Sequence, residues 1–261
     1  MRSHQKLLLV PALSVVAACG TVQETGRGQF TMFSDQEMSQ LGAQAYQEAI
    51  SGYREIKSGP QAEMVRRVGT KIAQASGRNY EWEFKLLDAP KEVNAFCLPG
   101  GKIAVFSGIL PVTQNEDGLA IVVGHEVAHA TSGHGNERMS QSGIAELVMS
   151  LGGAALGFTE LSEGNRDMVM ALAGATANVA VMLPFSRKHE TEADRIGLLF
   201  ALRAGYRIEE APLLWERMAK MGGGGGPEFL STHPDPLGRA EDLRRLIPEV
   251  KARGEDALKE R

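Results

Sequence analysis

The stretch His125-Glu126-Val127-Ala128-His129 carries two imidazoles four positions apart, with a carboxylate directly after the first. On an α-helix such positions lie one turn apart on nearly the same face, so both imidazoles can bind one metal ion. Glu126 lies beside them on the helix surface, where it can take a proton from water next to that metal. The spacing therefore predicts a metal-dependent hydrolase whose general base is Glu126.

The residues around this motif fit a buried helix. The preceding segment, 119–124, is apolar apart from its final glycine. Asn115 to Asp117 offer a capping acceptor and negative charge near the helix start, and Ser132-Gly133 offers a stop. We therefore expect a buried helix that begins near Asn115 and ends near Ser132.

Catalytic zinc needs a third protein ligand and an open position for water. Glu190 and Asp194 lie four apart on a predicted helix, so one carboxylate can bind the metal while the other accepts the free N–H of a ligand histidine. His189 is a less favoured alternative ligand. Glu192 is expected on a solvated face of the same helix, and His134 at the surface after the motif helix.

The N-terminus has the form of a secretory signal, with two basic residues before the apolar run 7–18, which is too short to span a bilayer. The run ends in Val16-Ala17-Ala18-Cys19, which resembles the lipobox of bacterial lipoproteins. That resemblance implies a signal peptide over 1–18, an acylated Cys19 and, from Gly20, the outer membrane as destination. The alternative is an ordinary cleaved signal with an incidental cysteine.

The rest of the chain is expected to form one domain. Residues 20–30 are rich in Gly, Thr, Gln and Glu, so 19–32 are expected to be a lipidated tether, with order beginning near Phe33. Residues 33–261 are then the metallopeptidase domain, without a C-terminal repeat domain. A chain with 43% hydrophobic residues can bury a full core at this length.

Composition argues against a nucleic-acid-binding protein and against a domain held together by disulfide bonds. The formal net charge is −4 and no cluster of lysine and arginine is visible, so nucleic acid is not an expected partner. The chain has two cysteines, and acylation of Cys19 would leave Cys97 without a disulfide partner. Stability is therefore expected to come from packing and from the metal.

The remaining patterns predict an α+β fold that is mainly helical, with a small sheet beside the motif helix. Residues 34–37 have the form of a capping box, and apolar residues at helical spacing over 62–72 mark a second helix. Residues 82–86 alternate as a strand does, and the runs 93–98 and 103–106 flank a Pro-Gly-Gly turn as in a hairpin.

Three later segments carry weaker patterns. Residues 143–185 are rich in Gly, Ala and Met, and their apolar run 168–183 is too short to span a membrane. A buried or surface-lying helix pair is expected there, with a mobile lid or a membrane-facing patch as alternatives. Residues 222–226 are all glycine and predict a flexible linker, and a polar helix is expected over 240–250.

Four motifs occur in one order: Asn94-Ala95-Phe96-x-x-Pro99-Gly100-Gly101, His125-Glu126-x-x-His129, Glu190-x-x-x-Asp194 and Ser231-Thr232-His233-Pro234. Over roughly residues 33 to 245 the chain thereby resembles the gluzincin zinc metallopeptidases of the HtpX, Oma and CAAX prenyl protease family. It looks most like their BepA- and LoiP-type bacterial envelope lipoproteins.

The resemblance implies one zinc ion per chain, held by His125, His129 and Glu190, with Asp194 behind a ligand histidine. It also implies that Asn94, Ala95 and Phe96 offer an edge strand to which an extended substrate adds. The implied substrates are unfolded or misassembled membrane polypeptides, and the implied location is the envelope, lipid-anchored and facing the periplasm. The sequence does not indicate an oligomeric state. The alternative function is a zinc-stabilised envelope chaperone with little proteolysis.

His233 has two open roles. After a glycine linker it could enter the cleft as a fourth zinc ligand that displaces water and silences the enzyme. It could instead donate to the oxyanion that develops during hydrolysis, with Arg239 nearby. The two roles exclude each other at any one moment.

Overall fold

The structure is a computed structural model that describes residues 18–142, 186–221 and 228–259. The described part is mainly helical with two small sheets, which confirms the predicted fold class. The expectations for 143–185 and 222–226 lie outside the described residues. In chain order the described elements are β1 (Ala18–Thr21), β2 (Gly28–Thr31), α1 (Asp35–Ile50), α2 (Pro60–Ser76), β3 (Glu83–Leu87), β4 (Ala95–Leu98), β5 (Lys102–Phe106), a short 3-10 turn (Ser107–Ile109), α3 (Leu110–Thr113), α4 (Glu116–Thr131), α5 (134–142), α6 (Arg187–Arg203), α7 (Glu210–Lys220), α8 (Glu228–Thr232) and α9 (Pro236–Lys259).

The sheet beside the motif helix has the strand order β3-β5-β4. β3 runs parallel to β5, and β4 pairs antiparallel with β5 through the predicted hairpin. Gly100 and Gly101 in its turn both have positive φ, 84° and 87°. Residues with a side chain adopt this backbone conformation only at a cost in free energy, so the turn favours glycine at both positions. In the described residues β4 is an edge strand, which leaves one row of its backbone groups without a strand partner.

α4 is the predicted motif helix. Asn115 caps it by accepting a hydrogen bond from the backbone N–H of Gly118, and Ser132 follows its last residue. Gly133 then turns the chain at φ 66°. The helix is apolar around most of its circumference and almost all of it is buried, which is the environment expected of a central helix.

The two helices that carry the motif residues, α4 and α6, cross where each has a glycine. A Cβ on Gly197 would lie 2.8–2.9 Å from backbone atoms of Gly124 and His125, and a Cβ on Gly124 would lie 2.8 Å from the carbonyl oxygen of Gly197. Because neither residue has a side chain, the two backbones come into direct contact. This close approach places the first turn of α6 beside the histidines of α4.

Scaffold helices pack around this pair. The capping box that begins α1 is present, with Ser34 accepting from the backbone of Glu37 and Glu37 accepting in return. The apolar face predicted over 62–72 is buried on α2, and the polar C-terminal helix occurs as α9, which buries Leu243 and Val250. Within the described residues, no helix has both the length and the apolar character needed to cross a bilayer.

The N-terminal segment differs from the flexible tether and the start of order near Phe33 that the composition suggested. β1 and β2 form an antiparallel hairpin, and Val22 in its loop is 1% exposed and packs in the main core. Arg27 extends from the same loop to Glu137 and Glu192. A polar composition does not reveal one buried valine and one paired arginine, and those contacts fix the segment to the domain.

Candidate metal centre

Four buried side chains each bring one potential ligand atom to a common point: His125, His129, Glu190 and His233. Nε2 of His125 lies 3.0 Å from Nε2 of His129 and 3.1 Å from Nδ1 of His233. The Glu190 carboxylate lies 3.4 Å from Nε2 of His125, 3.3 Å from Nε2 of His129 and 3.0 Å from Nδ1 of His233.

This spacing fits zinc. Nitrogen and oxygen ligands lie about 2.0–2.1 Å from zinc, so the corners of a tetrahedral site are roughly 3.3 Å apart. The separations above, 3.0–3.4 Å, match such an edge. Imidazole nitrogen together with one carboxylate is also a donor set that zinc prefers. The residues present therefore fit a zinc ion.

Two helices and one short segment position the ligands. α4 supplies both histidines of the motif, and α6 supplies Glu190 from its first turn, directly after a cap in which Ser186 accepts from the N–H of His189. His233 follows α8 and its own N–H donates to the carbonyl of Phe229, 2.9 Å away. Burial alone would raise the pKa of Glu190, but the three histidines around its carboxylate lower it far below its ordinary value.

Asp194 lies behind His125, where the sequence placed it. Its carboxylate is 3.0 Å from Nδ1 of His125, a position from which it can accept that N–H and leave the lone pair of Nε2 for a metal; Nη2 of Arg239 lies 3.0 Å from the same nitrogen. Arg239 donates to Asp194 from two nitrogens, stacks on the ring of Trp215 at 3.5 Å and lies 2.8 Å from the Glu190 carboxylate. Burial raises the pKa of Asp194, but Arg239 and His125 lower it below its ordinary value overall.

His134 and Glu192 are where the sequence-based expectation was wrong. His134 is fully buried rather than at the surface, and its Nδ1 lies 3.0 Å from Nδ1 of His129. Glu192 is buried rather than solvated, and its carboxylate lies 3.0 Å from Nε2 of His134. Burial lowers the pKa of His134 below its ordinary value, which favours a neutral ring. Helical periodicity could not show this, because the N-terminal hairpin covers that face of α6.

His189, the alternative ligand, does not reach the ligand atoms. Its Nε2 lies 3.2 Å from Glu137, and its ring stacks on that of His134 with centroids 4.4 Å apart. Desolvation by burial lowers the pKa of His189 to about 4.

Glu126 lies on the cavity side of the centre. Its Oε1 is buried and 3.2 Å from Nε2 of His233, without the alignment of a hydrogen bond. Burial alone would lower the pKa of His233, but Glu126 and Glu190 raise it to about 9. The His233 ring therefore lies between the predicted base and the third ligand, and it occupies the corner that a substrate or water would need.

A cavity of about 300 Å³ opens onto the centre. Asn94, Ala95 and Phe96 line it, together with Glu126 and residues of the N-terminal hairpin. The Phe96 ring packs against Tyr46 and Phe106 in a small core, so the Phe96 side chain has a packing role.

The backbone of β4 alternates between the sheet and the cavity edge. The carbonyl of Asn94 accepts from the N–H of Phe106 on the sheet side, so the backbone groups of Ala95 and Cys97 face the free edge. The side chain of Asn94 accepts from the N–H of Ala95, 2.8 Å away. Sequence reasoning gave Cys97 no role, yet it lines the cavity, and desolvation by burial raises the pKa of its thiol well above the ordinary value.

Comparison with known proteins gives a family and several relatives. The model of Peptidase family M48 matches residues 60–247. Mitochondrial metalloendopeptidase OMA1 of Schizosaccharomyces pombe is 35% identical over 88% of this chain and 67% of its own length. Metalloendopeptidase OMA1 of Danio rerio is 34% identical over 87% of this chain and 50% of its own length.

A bacterial relative also matches. The Beta-barrel assembly-enhancing protease of Escherichia coli is 30% identical over 61% of this chain and 33% of its own length. The chain thus spans two thirds of one of these relatives and half or less of the other two. The wider resemblance to zinc metallopeptidases is confirmed, whereas the expected particular likeness to bacterial envelope lipoproteins is not supported.

Proposed function

The chain belongs to peptidase family M48, and on that premise we propose that it is a zinc-dependent endopeptidase acting on unfolded polypeptides. One observation carries the proposal. His125, His129 and Glu190 converge at the spacing of zinc ligands, and the carboxylate of Glu126 lines the adjoining cavity, 3.2 Å from Nε2 of His233.

The protein's own residues divide the work of peptide hydrolysis. Zinc, when bound, supplies a Lewis acid that polarises a carbonyl and acidifies water. Glu126 is the general base: it takes the proton of the attacking water and returns it to the leaving amide nitrogen. Asp194 keeps the proton of His125 on Nδ1, and Arg239 balances the negative charge of Asp194 and Glu190.

The experiment that tests this proposal replaces Glu126 by glutamine. The variant should keep its zinc, because Glu126 is not a ligand, and should lose about 10²–10⁴-fold in the rate of cleavage of an unfolded membrane protein. Glu116→Gln is a matched control on the partly exposed first turn of the same helix, paired with Arg67 and outside the metal centre, and should cleave normally. Metal analysis and mass spectrometry of the products measure both properties. Near-normal cleavage by Glu126→Gln would refute the assignment.

His233 is proposed as the fourth ligand of a resting form. Its Nδ1 lies at the fourth corner and its Nε2 faces Glu126, so one ring covers both the open position and the base. Activity then requires the segment after α8 to move His233 away. His233→Ala should raise the cleavage rate if this is correct. If His233 instead donates to the oxyanion, the same variant should be slower than the wild type.

The free edge of β4 supports an extended substrate. The carbonyl of Ala95 and the backbone groups of Cys97 can pair with a substrate strand along the cavity, which selects for extended backbone rather than for a particular side chain. Unfolded chains expose such backbone. Ala95→Pro, which keeps the carbonyl and removes the N–H already bonded to Asn94, should distort the edge and raise KM more than it lowers kcat; unchanged kinetics would contradict this.

The bacterial cell envelope is proposed as the location, with Cys19 acylated after removal of 1–18 and the protein anchored in the inner leaflet of the outer membrane. The segment Val16-Ala17-Ala18-Cys19 supports this, as does the name of the Escherichia coli relative, Beta-barrel assembly-enhancing protease. Labelling with a radioactive fatty acid should mark the wild type and not Cys19→Ser, and the variant should leave the membrane fraction. An unlabelled wild type would contradict the proposal and favour an ordinary cleaved signal.

The second candidate function is a zinc-stabilised envelope chaperone, and the four-ligand geometry favours it because a closed coordination sphere suits a structural metal. The two candidates differ in their need for Glu126. If Glu126→Gln rescues an envelope-stress phenotype as well as the wild type does, the chaperone is favoured; failure to rescue favours the peptidase.

A further inference from the structure

α6 carries three acidic residues, Glu190, Glu192 and Asp194, and each contacts a different group of the metal centre or its surroundings. Glu190 lies among the ligand atoms, and Asp194 accepts from His125. Glu192, between them in the sequence, lies 3.0 Å from Nε2 of His134, and His134 in turn lies 3.0 Å from His129. The two ligand histidines are therefore supported differently, one by a carboxylate directly and the other through a second imidazole.

The donor and acceptor of each hydrogen bond in the series Glu192, His134, His129 can be assigned by starting from Glu192. A carboxylate accepts, so His134 carries its proton on Nε2 and donates it to Glu192. Nδ1 of His134 is then an acceptor, and the neighbouring Nδ1 of His129 must be the donor. A neutral His129 with its proton on Nδ1 has a lone pair on Nε2, the atom that points at the other ligands.

The position of His134 is fixed on all sides. Its ring stacks on His189 with an interplanar angle of 18°. Glu192 is held by the hydroxyl of Thr25 and by Nε of Arg27 at 2.7 Å, and the other two nitrogens of Arg27 donate to Glu137 at 2.8 and 3.0 Å. Thr25 and Arg27 belong to the loop of the N-terminal hairpin, so this hairpin is in hydrogen-bonded contact with a ligand of the centre through two intervening side chains.

We propose that His134 is a positioning residue of the zinc centre: it accepts the N–H of His129 and thereby fixes the tautomer and ring orientation that His129 needs as a ligand. Glu192, anchored by the N-terminal hairpin, sets the orientation of His134. The inference rests on the zinc site of the proposed function. It adds the N-terminal hairpin, whose Thr25 and Arg27 lie more than 100 residues before His129, to the parts of the protein on which zinc affinity depends.

A pair of variants of equal shape tests the inference. His134→Leu removes the acceptor, and His134→Asn keeps an acceptor near the position of Nδ1 on a side chain of the same branched shape. Competition with a chromogenic chelator should show a loss of zinc affinity of about 10–100-fold for His134→Leu and a loss several times smaller for His134→Asn. Equal zinc affinities in the two variants would overturn the proposal.

Ser140→Ala is the control, because Ser140 is fully buried on the same helix as His134, and its hydroxyl is hydrogen-bonded to the N–H of Met32 and to Asn136. Its zinc affinity should stay within a few-fold of the wild type, and a loss as large as that of His134→Leu would overturn the proposal. If the leucine variant fails to fold, the zinc-loaded wild type still tests the proposal. Nitrogen NMR of the imidazoles should show His134 protonated on Nε2 and not on Nδ1. The opposite tautomer would refute the proposed hydrogen bonds from His129 to His134 and from His134 to Glu192.

Zinc affinity and tautomer are measured without any peptide hydrolysis. A wild type that binds zinc and cleaves nothing would refute the proposed function and leave this inference intact. Conversely, normal zinc binding by His134→Leu in an active enzyme would refute the inference alone.

Discussion

Replacing Gly197 by alanine perturbs the contact that sets the distance between the two ligand-bearing helices. The new Cβ would lie 2.8 Å from the backbone nitrogen of His125 and 2.9 Å from two further backbone atoms of α4. Backbone cannot rotate away as a side chain can. Reaching an ordinary carbon contact of about 3.5 Å therefore requires α4 and α6 to separate by roughly 0.6 Å.

Two consequences have calculable sizes. Overpacking costs about 1–3 kcal/mol, and alanine regains about 1 kcal/mol over glycine inside a helix, so the free energy of unfolding should fall by up to about 2 kcal/mol. Glu190 on α6 and His125 on α4 would also move apart, whereas zinc sites tolerate deviations of about 0.2 Å in ligand distance. Zinc affinity should therefore fall by at least about 10-fold.

Urea unfolding of the metal-free protein and chelator competition measure the two effects separately. Gly135→Ala is the matched control, because a Cβ there would meet one side-chain atom, of Pro99, at 3.9 Å. The control should keep its zinc affinity and lose no stability. If Gly197→Ala unfolds and binds zinc as the wild type does, the glycine crossing does not set the ligand spacing.

Three further substitutions test separate contacts. Asp194→Asn should weaken zinc binding about 10–100-fold in chelator competition, because a neutral amide is a weaker acceptor than a carboxylate for the N–H of His125 and forms no ion pair with Arg239; unchanged affinity would exclude this role. Glu137→Gln should destabilise the protein at pH 7, since Arg27 loses a charged partner. Burial raises the pKa of Glu137, but Arg27 lowers it below its ordinary 4.5 overall, so this stabilisation is present above about pH 4.5 and is lost as the pH falls through the lowered pKa; thermal melts of the two proteins should converge in acid, and a constant gap would contradict the assignment. Ser34→Ala should lower the free energy of unfolding by about 0.5–2 kcal/mol through loss of the α1 cap, and an unchanged urea midpoint would show that the capping box contributes nothing.

Local patterns anticipated much of the fold. The start of α1 at its capping box, the limits of α4 and the hairpin of β4 and β5 each depend on residues close in sequence, and the structure contains all of them. The N-terminal hairpin was missed, because a flexible tether and a docked hairpin share a polar composition. What separates them is Val22 and its buried contacts with distant residues.

In the metal centre, sequence reasoning found the groups whose roles follow from helical spacing. His125 and His129 share a helix face, and so do Glu190 and Asp194, and the structure brings both pairs to one centre. Arg239 was named only as a neighbour of His233, although it bonds to Asp194. No local pattern marks a buried arginine; the acidic side chains of α6 were the available signal that a cation must balance them.

The sequence by itself determined that two imidazoles and a carboxylate would share one helix, because an α-helix converts a spacing of four into a common face whatever surrounds it. Only the tertiary structure decided which remote groups complete the centre. His233 meets His125 across 108 positions, and Arg27 meets Glu192 across 165. Such contacts depend on how helices and the hairpin pack in three dimensions, and the period of a single helix carries no information about that packing.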